Sequence, residues 1–283
     1  MTGTRLPGFV IIGAVKAATT WIAHQLREHP DVYLPGPEPH YFSTEFERGQ
    51  DWYAGLFAEA GTHQMIGEKS ADYLAHPDAA RRMAELVPHA RLIVQLRNPV
   101  DRAYSDYCML YRRGAVGGNP ARYLARGSGE NARFLNDGLY ARHLARFLDH
   151  FPREQIQVIL YDEIKDAPAR VAAEVCAHVG VAPVIALAAL RARKNDSEAP
   201  LLPLGLRRMM RPLKRAVRPM RGTTWFERLR GMMARTPDYP PFTPELRAQL
   251  SDYYREDVQS LGRLIGRDMD GWLSTQPSLA TVR

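Results

Sequence analysis

A lysine and two adjacent threonines follow the first apolar run of the chain. The run, Phe9 to Val15, leads into Lys16-Ala17-Ala18-Thr19-Thr20-Trp21, after which the pattern becomes helical. A turn between a strand and a helix presents unpaired N–H groups and the positive end of a helix dipole to an anion. The ammonium group and the hydroxyls add further hydrogen-bond donors. The segment therefore predicts a P-loop-like strand–loop–helix site for an anionic ligand.

Two other interpretations of this turn stay open. A GxxxxGK[ST] loop of a kinase or NTPase needs glycine before its lysine and a hydroxyl after it, whereas Val15 precedes Lys16 and Ala17 follows it. A plain tight turn with a solvent lysine is the other alternative. The chain has five lysines and 33 arginines, and the only lysines before Lys165 are Lys16 and Lys69. A lysine ammonium group suits a single oxygen atom, whereas an arginine side chain suits two. The rarity of lysine therefore favours a specific role for Lys16 and Lys69.

Alternating strand and helix patterns indicate the elements that position the turn. The predicted strands are 8–13, 64–68, 90–96 and 155–160. The predicted helices are 19–28, 77–86, 102–112, 139–149, 167–179 and 244–264. Thr243 and Pro244 are typical N-cap and first-turn residues of the last helix. This order predicts one α/β domain with a central parallel β-sheet flanked by helices, whose ligands bind at the carboxyl ends of the strands.

Composition and charge limit the functional class. Apolar residues make up 45% and charged residues 24% of the 283-residue chain, as in ordinary globular proteins. The longest apolar runs fall far short of the roughly 20 residues of a membrane span, and Met1 to Pro7 lacks a signal-peptide core. Two cysteines, Cys108 and Cys176, cannot form a disulfide framework or a zinc cluster. We therefore expect a cytoplasmic enzyme.

A basic segment lies near the C-terminal third of the chain. Residues 191–235 contain 13 Lys and Arg residues but only three acidic ones, interspersed with Leu, Met, Trp and Phe. It is interpreted as a lid or insertion at about 191–241, as a membrane-surface patch, or as a solvated insertion. A non-enzymatic polyanion or membrane binder is thus an alternative function. The sequence has no recognised DNA-binding motif, so nucleic acid is not an expected partner. The loops at 114–129 and 194–241 are candidate acceptor-binding regions.

Four motifs together resemble one enzyme family. They are KAATTW after the first strand, PEPHYF at Pro37 to Phe42, GEKSADYL at Gly67 to Leu74 and LRNPVDRAYSDY at Leu96 to Tyr107. In this order they resemble sulfotransferases that use 3′-phosphoadenosine 5′-phosphosulfate (PAPS), especially bacterial members and the domains that modify heparan sulfate. The resemblance implies sulfuryl transfer to a hydroxyl, with an amine as second choice, of a carbohydrate, lipid or secondary metabolite. Adenosine 3′,5′-bisphosphate (PAP) is the implied product, and no metal is expected.

The resemblance implies donor-binding residues at three places. Its 5′-phosphosulfate loop matches Lys16, Ala17, Ala18, Thr19, Thr20 and Trp21. Its 3′-phosphate clamp matches Arg97 and Ser105, and an arginine fork with a hydroxyl suits a terminal phosphate. The alternative for Arg97 is an ion pair with a nearby carboxylate such as Asp101.

The resemblance also implies the catalytic groups. Glu38 matches the general base that takes the proton of the acceptor, and His40 is a rival because histidine as a residue type titrates near neutrality. Positions 38 and 40 of an extended segment share a face, so one can act while the other orients. Lys16 is implied at the leaving oxygen and Lys69 near the donor sulfate or the acceptor. Glu68 is a candidate partner that holds Lys69, with an ordinary surface ion pair as the alternative.

The chain departs from the family pattern in two places. Pro37 stands where many relatives carry lysine before the Glu-x-His motif. A basic loop that covers the donor in relatives is matched only by the candidates Arg191, Arg193 and Lys194. These departures affect the predicted acceptor pocket more than the predicted donor site.

Overall fold

Five parallel strands run through the centre of the protein in the order β2-β3-β1-β4-β5. The architecture comes from a computed structural model that describes residues 5–62, 64–126, 132–184 and 238–274. The strands are β1 Phe9–Gly13, β2 Val32–Tyr33, β3 Met65–Lys69, β4 Arg91–Leu96 and β5 Ile156–Leu160. The predicted α/β fold with a central parallel sheet is confirmed, and only the two-residue edge strand β2 was missed.

Ten helices accompany the sheet within the described residues. They are α1 Thr19–Arg27, α2 Gln50–Gly55, α3 Ala79–Leu86, α4 Pro99–Arg113, α5 Ala121–Leu124, α6 Arg133–Asn136, α7 Tyr140–Leu148, α8 Tyr161–Asp166, α9 Pro168–Val179 and α10 Pro244–Ile265. Short 3₁₀ turns lie at Phe46–Arg48, Arg153–Gln155 and Asp270–Leu273. All six predicted helices are present, and Thr243 caps α10 as predicted, since its Oγ1 accepts from Leu246 N at 3.2 Å. None of the described helices is both long enough and apolar enough to cross a membrane.

The start of α4 corrects one predicted boundary. The helix begins at Pro99, three residues before the predicted position. Oδ1 of Asn98 accepts from Val100 N at 3.0 Å, and Pro99 takes the first helical position, where its missing N–H costs nothing. The capping signal, an asparagine followed directly by proline, is present in the sequence.

Both faces of the sheet are buried. Phe9 and Ile11 pack with α1 and α9 on one face, while Val10 and Ile12 pack with α3, α4, α7 and α10 on the other. This arrangement explains why β1 is apolar at every position rather than at alternate ones. Five apolar residues recur at helical spacing along α10 and are all buried: Leu250, Tyr254, Val258, Leu261 and Ile265.

The long-loop predictions fall mostly outside the described residues. The described residues exclude the whole of the 191–235 basic segment, including Arg191, Arg193 and Lys194. They also exclude all of the proposed lid except residues 238–241. Of the 114–129 loop, residues 114–126 are described and contain α5.

The close approach of β1 and β3 requires a glycine. Phe9 pairs in register with Gly67, and its ring lies where a Cβ atom on Gly67 would be placed. Phe9 itself is fully buried and cannot turn to solvent. Any side chain at position 67 therefore displaces the strand that ends in Lys69.

We expect Gly67→Ala to lower the free energy of unfolding by about 1–3 kcal/mol, because overpacking a buried contact forces strained side chains. Urea denaturation followed by circular dichroism measures the change. The control is Gly55→Ala, since nothing lies within 4 Å of an added Cβ there. Equal stability of the two variants would contradict the packing argument.

Candidate active site

Three predicted cationic residues follow three neighbouring strands. Lys69 ends β3, Lys16 lies in the turn after β1, and Arg97 directly follows β4. These strands are adjacent in the sheet, in the order β3-β1-β4. Parallel strands end at one edge, so the three residues belong to the edge where open α/β sheets bind ligands.

The turn after β1 has a left-handed backbone at two residues. Lys16 has φ 69° and Ala18 has φ 66°, a conformation that is uncommon outside glycine. Ala17 between them is fully buried, so only a small side chain fits there. Ala18 is the N-cap residue of α1 and has no side-chain acceptor with which to cap the helix. The sequence thus leaves this helix N-terminus suited to an external anion.

Lys16 is half-buried in a region of excess positive charge. Burial is the main reason that its pKa is lowered; the carboxylate of Asp106 opposes this effect, and the charges of Arg97 and Arg113 add to it. Asp106 is already paired with another cation, because Nη2 of Arg133 donates to both of its oxygens at 2.8 and 3.0 Å. An anion beside Lys16 would therefore relieve repulsion among cations. Arg113 was missed from the sequence, although its place on α4 two turns after Ser105 is a helical-period signal.

Among the described residues, Arg97 contacts an aromatic ring rather than a carboxylate. Its guanidinium carbon lies 5.0 Å from the ring centre of Tyr161, the first residue of α8. Asp101, the alternative partner, instead forms a buried ion pair with Arg247 of α10 at 2.8 Å. Ser105 lies half-exposed on α4. Tyr161 was missed, although it follows the predicted strand 155–160 and so belongs to the same edge of the sheet.

Asn98 fixes the turn that carries Arg97. Its Oδ1 caps α4, and its Nδ2 donates to the carbonyl oxygen of Trp272 at 3.0 Å. One amide therefore ties the end of β4 both to the helix that carries Ser105 and to the C-terminal 3₁₀ turn.

Lys69 connects the predicted base to the predicted donor turn. Its ammonium group donates to Oε1 of Glu38 at 2.5 Å and to Oγ1 of Thr20 at 3.4 Å. The other oxygen of Glu38 accepts from the N–H of Ala71 at 2.9 Å. The side chain of Lys69 is only 10% exposed, so the ion pair is largely shielded from water.

Glu68 does not hold Lys69, so that prediction is wrong. Successive residues of a strand point to opposite faces, and Lys69 pairs with Glu38 instead. Glu68 is fully buried, and the hydroxyl of Tyr73 donates to its Oε2 at 3.4 Å. Burial is the main cause that raises the pKa of Glu68 to about 8; tyrosine hydrogen bonds oppose it, and the charges of Asp72 and Glu38 add to it. Burial therefore favours the protonated form of Glu68 in the folded protein.

His40 is held by contacts that the sequence did not indicate. Its Nδ1 lies 2.7 Å from Oδ1 of Asp72, and the hydroxyl of Ser43 donates to Oδ2 of Asp72 at 2.6 Å. A carboxylate only accepts, so Nδ1 carries the proton and Nε2 is left as an acceptor when the ring is neutral. The backbone of His40 is left-handed, with φ 53°, and its N–H donates to Oγ of Ser70 at 2.9 Å. Asp72 was missed because this pairing spans 32 residues.

Glu38 and His40 do lie together, although the backbone at His40 is not extended. One donor atom from each of Glu38, His40 and Asp72 lies within 4.8 Å of the others, a set that can hold a metal ion. A cation there would compete with the ammonium group of Lys69 for the carboxylate of Glu38. The metal-free site accordingly stays a prediction.

Comparison with known proteins decides the family. A model described as "Sulfotransferase family" matches residues 47–184. A solved sulfotransferase from Alicyclobacillus acidocaldarius is 27% identical, with a TM-score of 0.71, and the match covers 95% of this chain and 100% of that one. The chain belongs to the sulfotransferase family. The resemblance inferred from its four motifs is confirmed.

Curated relatives place this sulfotransferase-family chain beside heparan sulfate enzymes. It is 31% identical over 298 residues to the mouse bifunctional heparan sulfate N-deacetylase/N-sulfotransferase 3, a match that covers 96% of the chain and 32% of the relative. It is 35% identical over 171 residues to the mouse heparan sulfate glucosamine 3-O-sulfotransferase 6, a match that covers 58% of the chain and 49% of the relative. The matched regions span less than half the length of either relative.

The buried Glu68 predicts a pH effect on the stability of this sulfotransferase-family protein. Its folded-state pKa of about 8 exceeds the ordinary value of 4.5, so its contribution is complete below pH 4.5 and is lost as the pH rises through 8. We expect Glu68→Gln to gain stability relative to the native protein over this range, as measured by thermal unfolding at pH 5 to 9. The exposed control Glu47→Gln should follow the native protein. A Glu68→Gln curve parallel to the native one would contradict the buried, protonated carboxyl.

Proposed function

We propose that this protein transfers a sulfuryl group from PAPS to an acceptor hydroxyl. The observation that carries the proposal is the set of three cations after β3, β1 and β4, with the carboxylate of Glu38 paired to one of them. PAPS supplies an activated sulfuryl group on a phosphate and a second phosphate at the 3′ position. Its negative charge at both ends fits an edge of the sheet that carries excess positive charge.

The donor site follows from the placement of the cations. Lys16, Thr19, Thr20 and the N–H groups at the start of α1 hold the 5′-phosphosulfate in the turn that also contains Ala17 and Ala18. Arg97 and Ser105 hold the 3′-phosphate, with Tyr161 orienting the guanidinium group. Trp21, in the first turn of α1, completes the proposed donor-binding residues of this loop. The ring of Tyr161 and the amide of Asn98 preorganise Arg97, which limits the entropy lost on binding.

Glu38 and the two lysines perform the chemistry. Glu38 takes the proton of the acceptor hydroxyl as the acceptor oxygen bonds to sulfur and the bond from sulfur to the bridging phosphate oxygen breaks. Lys16 stabilises the charge that develops on the leaving oxygen, and Lys69 stabilises the oxygens of the phosphosulfate group, including those of the 5′-phosphate that PAP retains. His40, held by Asp72, presents Nε2 to orient the acceptor. PAP leaves with the electron pair of the broken bond, so atoms and charge balance without a metal ion.

The acceptor class is proposed from chemistry and similarity. The two curated relatives are named for N- and 3-O-sulfation of heparan sulfate. We favour a hydroxyl of a carbohydrate, with a lipid or secondary metabolite as further choices, because a carboxylate base suits removal of a hydroxyl proton. An amine acceptor is the second choice. The cytoplasmic location and the lid role of residues 191–241 remain predictions.

Donor binding is the first test. Isothermal titration calorimetry with PAP in buffer containing a chelator should show saturable binding, because the proposed contacts need no metal. Lys16→Ala should weaken binding at least about tenfold by removing a preorganised charge, equivalent to about 1.4 kcal/mol. Arg255→Ala, which removes an exposed cation paired with Asp252 on α10, is the control and should bind normally. Lack of binding at millimolar PAP, or Mg²⁺-dependent ATP turnover, would refute the proposal.

The assignment of the base is tested by turnover. Labelled PAPS and an extract of the source organism identify an acceptor, and transfer to it is then measured for each variant. Glu38→Gln should retain donor binding and lower turnover by about 10² to 10⁴, the usual contribution of a general base. His40→Asn should cost less, because it removes an orienting contact. Full activity in Glu38→Gln together with loss in His40→Asn would reverse the two roles.

A further inference from the structure

Lys69 lies between a fixed carboxylate and the turn proposed to seat the sulfuryl end of the donor. Nζ is 2.5 Å from Oε1 of Glu38 and 3.4 Å from Oγ1 of Thr20. The first contact is a short ion pair, whereas the second lies at the long limit of a hydrogen bond. In the described part of the chain, the ammonium charge is thus used mainly by Glu38.

The low exposure of Lys69 strengthens the interaction of its charge with nearby anions. Charges that are largely withdrawn from water interact more strongly than surface charges, because solvent screens them less. One ammonium group has three N–H donors but a single positive charge. An anion that enters beside Thr20 therefore competes with Glu38 for that charge.

The carboxylate has a second anchor that stays in place. The N–H of Ala71 donates to Oε2 of Glu38 at 2.9 Å, independently of Lys69. If the ammonium group moves towards the donor, Glu38 keeps its position and only Oε1 is released. A hydroxyl can then donate its proton to Oε1.

We propose that Lys69 is exchanged between Glu38 and the bound donor, so that the acceptor base is released only when the donor is in place. This inference rests on the proposed function and adds an order to it: the donor binds first and the acceptor is engaged second. The Glu38–Lys69 ion pair is then a coupling element between the two substrate sites, and its energetic effect is reciprocal.

Double-mutant analysis of PAP affinity by calorimetry tests the exchange. Glu38→Gln removes the competitor for the ammonium group, so it should tighten PAP binding by about 5- to 10-fold, within the usual range of coupling between sites. Lys69→Met should weaken binding at least about tenfold. The double variant should match Lys69→Met within about twofold, because Glu38 acts on the donor only through Lys69.

Two controls separate local exchange from a general charge effect. Glu85→Gln makes the same change in net charge at an exposed pair, in which Arg81 donates to Glu85 at 2.7 Å, and should leave PAP affinity unchanged. Adenosine 3′-monophosphate lacks the 5′ group, so Glu38→Gln should bind it no better than the native protein does. Glu38→Asp retains the charge but shortens the reach to Lys69. It should tighten PAP binding by a smaller factor, and it replaces Glu38→Gln if that variant does not fold.

The outcomes of these experiments distinguish the Lys69 exchange from the proposed function on which it rests. Unchanged or weaker PAP binding by Glu38→Gln would overturn the exchange, as would equal tightening for adenosine 3′-monophosphate or additive effects in the double variant. Each of these results leaves donor binding by the native protein intact. Failure of the native protein to bind PAP would instead overturn the proposed function, and this inference with it.

Discussion

The close placement of like charges at one edge of a parallel sheet is the constraint on which the rest of the site depends. The strand order β3-β1-β4 brings together the ends that carry Lys69, Lys16 and Arg97. Among the described residues, only part of this charge is balanced, since Glu38 neutralises Lys69 and Asp106 is shared with Arg133. The proposed donor is a polyanion and would complete the balance at this edge, which links the fold to the proposed donor site in one electrostatic arrangement.

The scaffold holds these cations by buried contacts away from the edge itself. The Asp101–Arg247 ion pair joins α4 to α10, and Asn98 joins the end of β4 to the C-terminal 3₁₀ turn. Gly67 lets β1 and β3 approach closely under the Phe9 ring. These contacts restrict elements that lie next to the charged residues in sequence or in space, so the charges do not have to organise the backbone that carries them.

Local patterns in the sequence were sufficient for most of the fold. Four of the five strands and six helices of the described chain were predicted, because buried parallel strands and amphipathic helices have strong periodic signals. Strand β2 has two residues and α5 and α6 have four each, which is too short for periodicity. The site was predicted less completely. Strand alternation already indicates that the side chains of Glu68 and Lys69 point to opposite faces, so the predicted pairing of the two was avoidable. The Asp72–His40 and Arg97–Tyr161 contacts, in contrast, join distant segments and leave no local signal in the sequence.

The proposed chemistry requires the turn after β1 to bind the phosphosulfate end of an adenosine nucleotide. A crystal structure of the protein soaked with PAP is the decisive measurement. We expect the 5′-phosphate within hydrogen-bonding distance of Lys16 Nζ and the N–H groups at the start of α1, with the 3′-phosphate between Arg97 and Ser105. Clear density for the nucleotide in another crevice, with this turn empty, would contradict it.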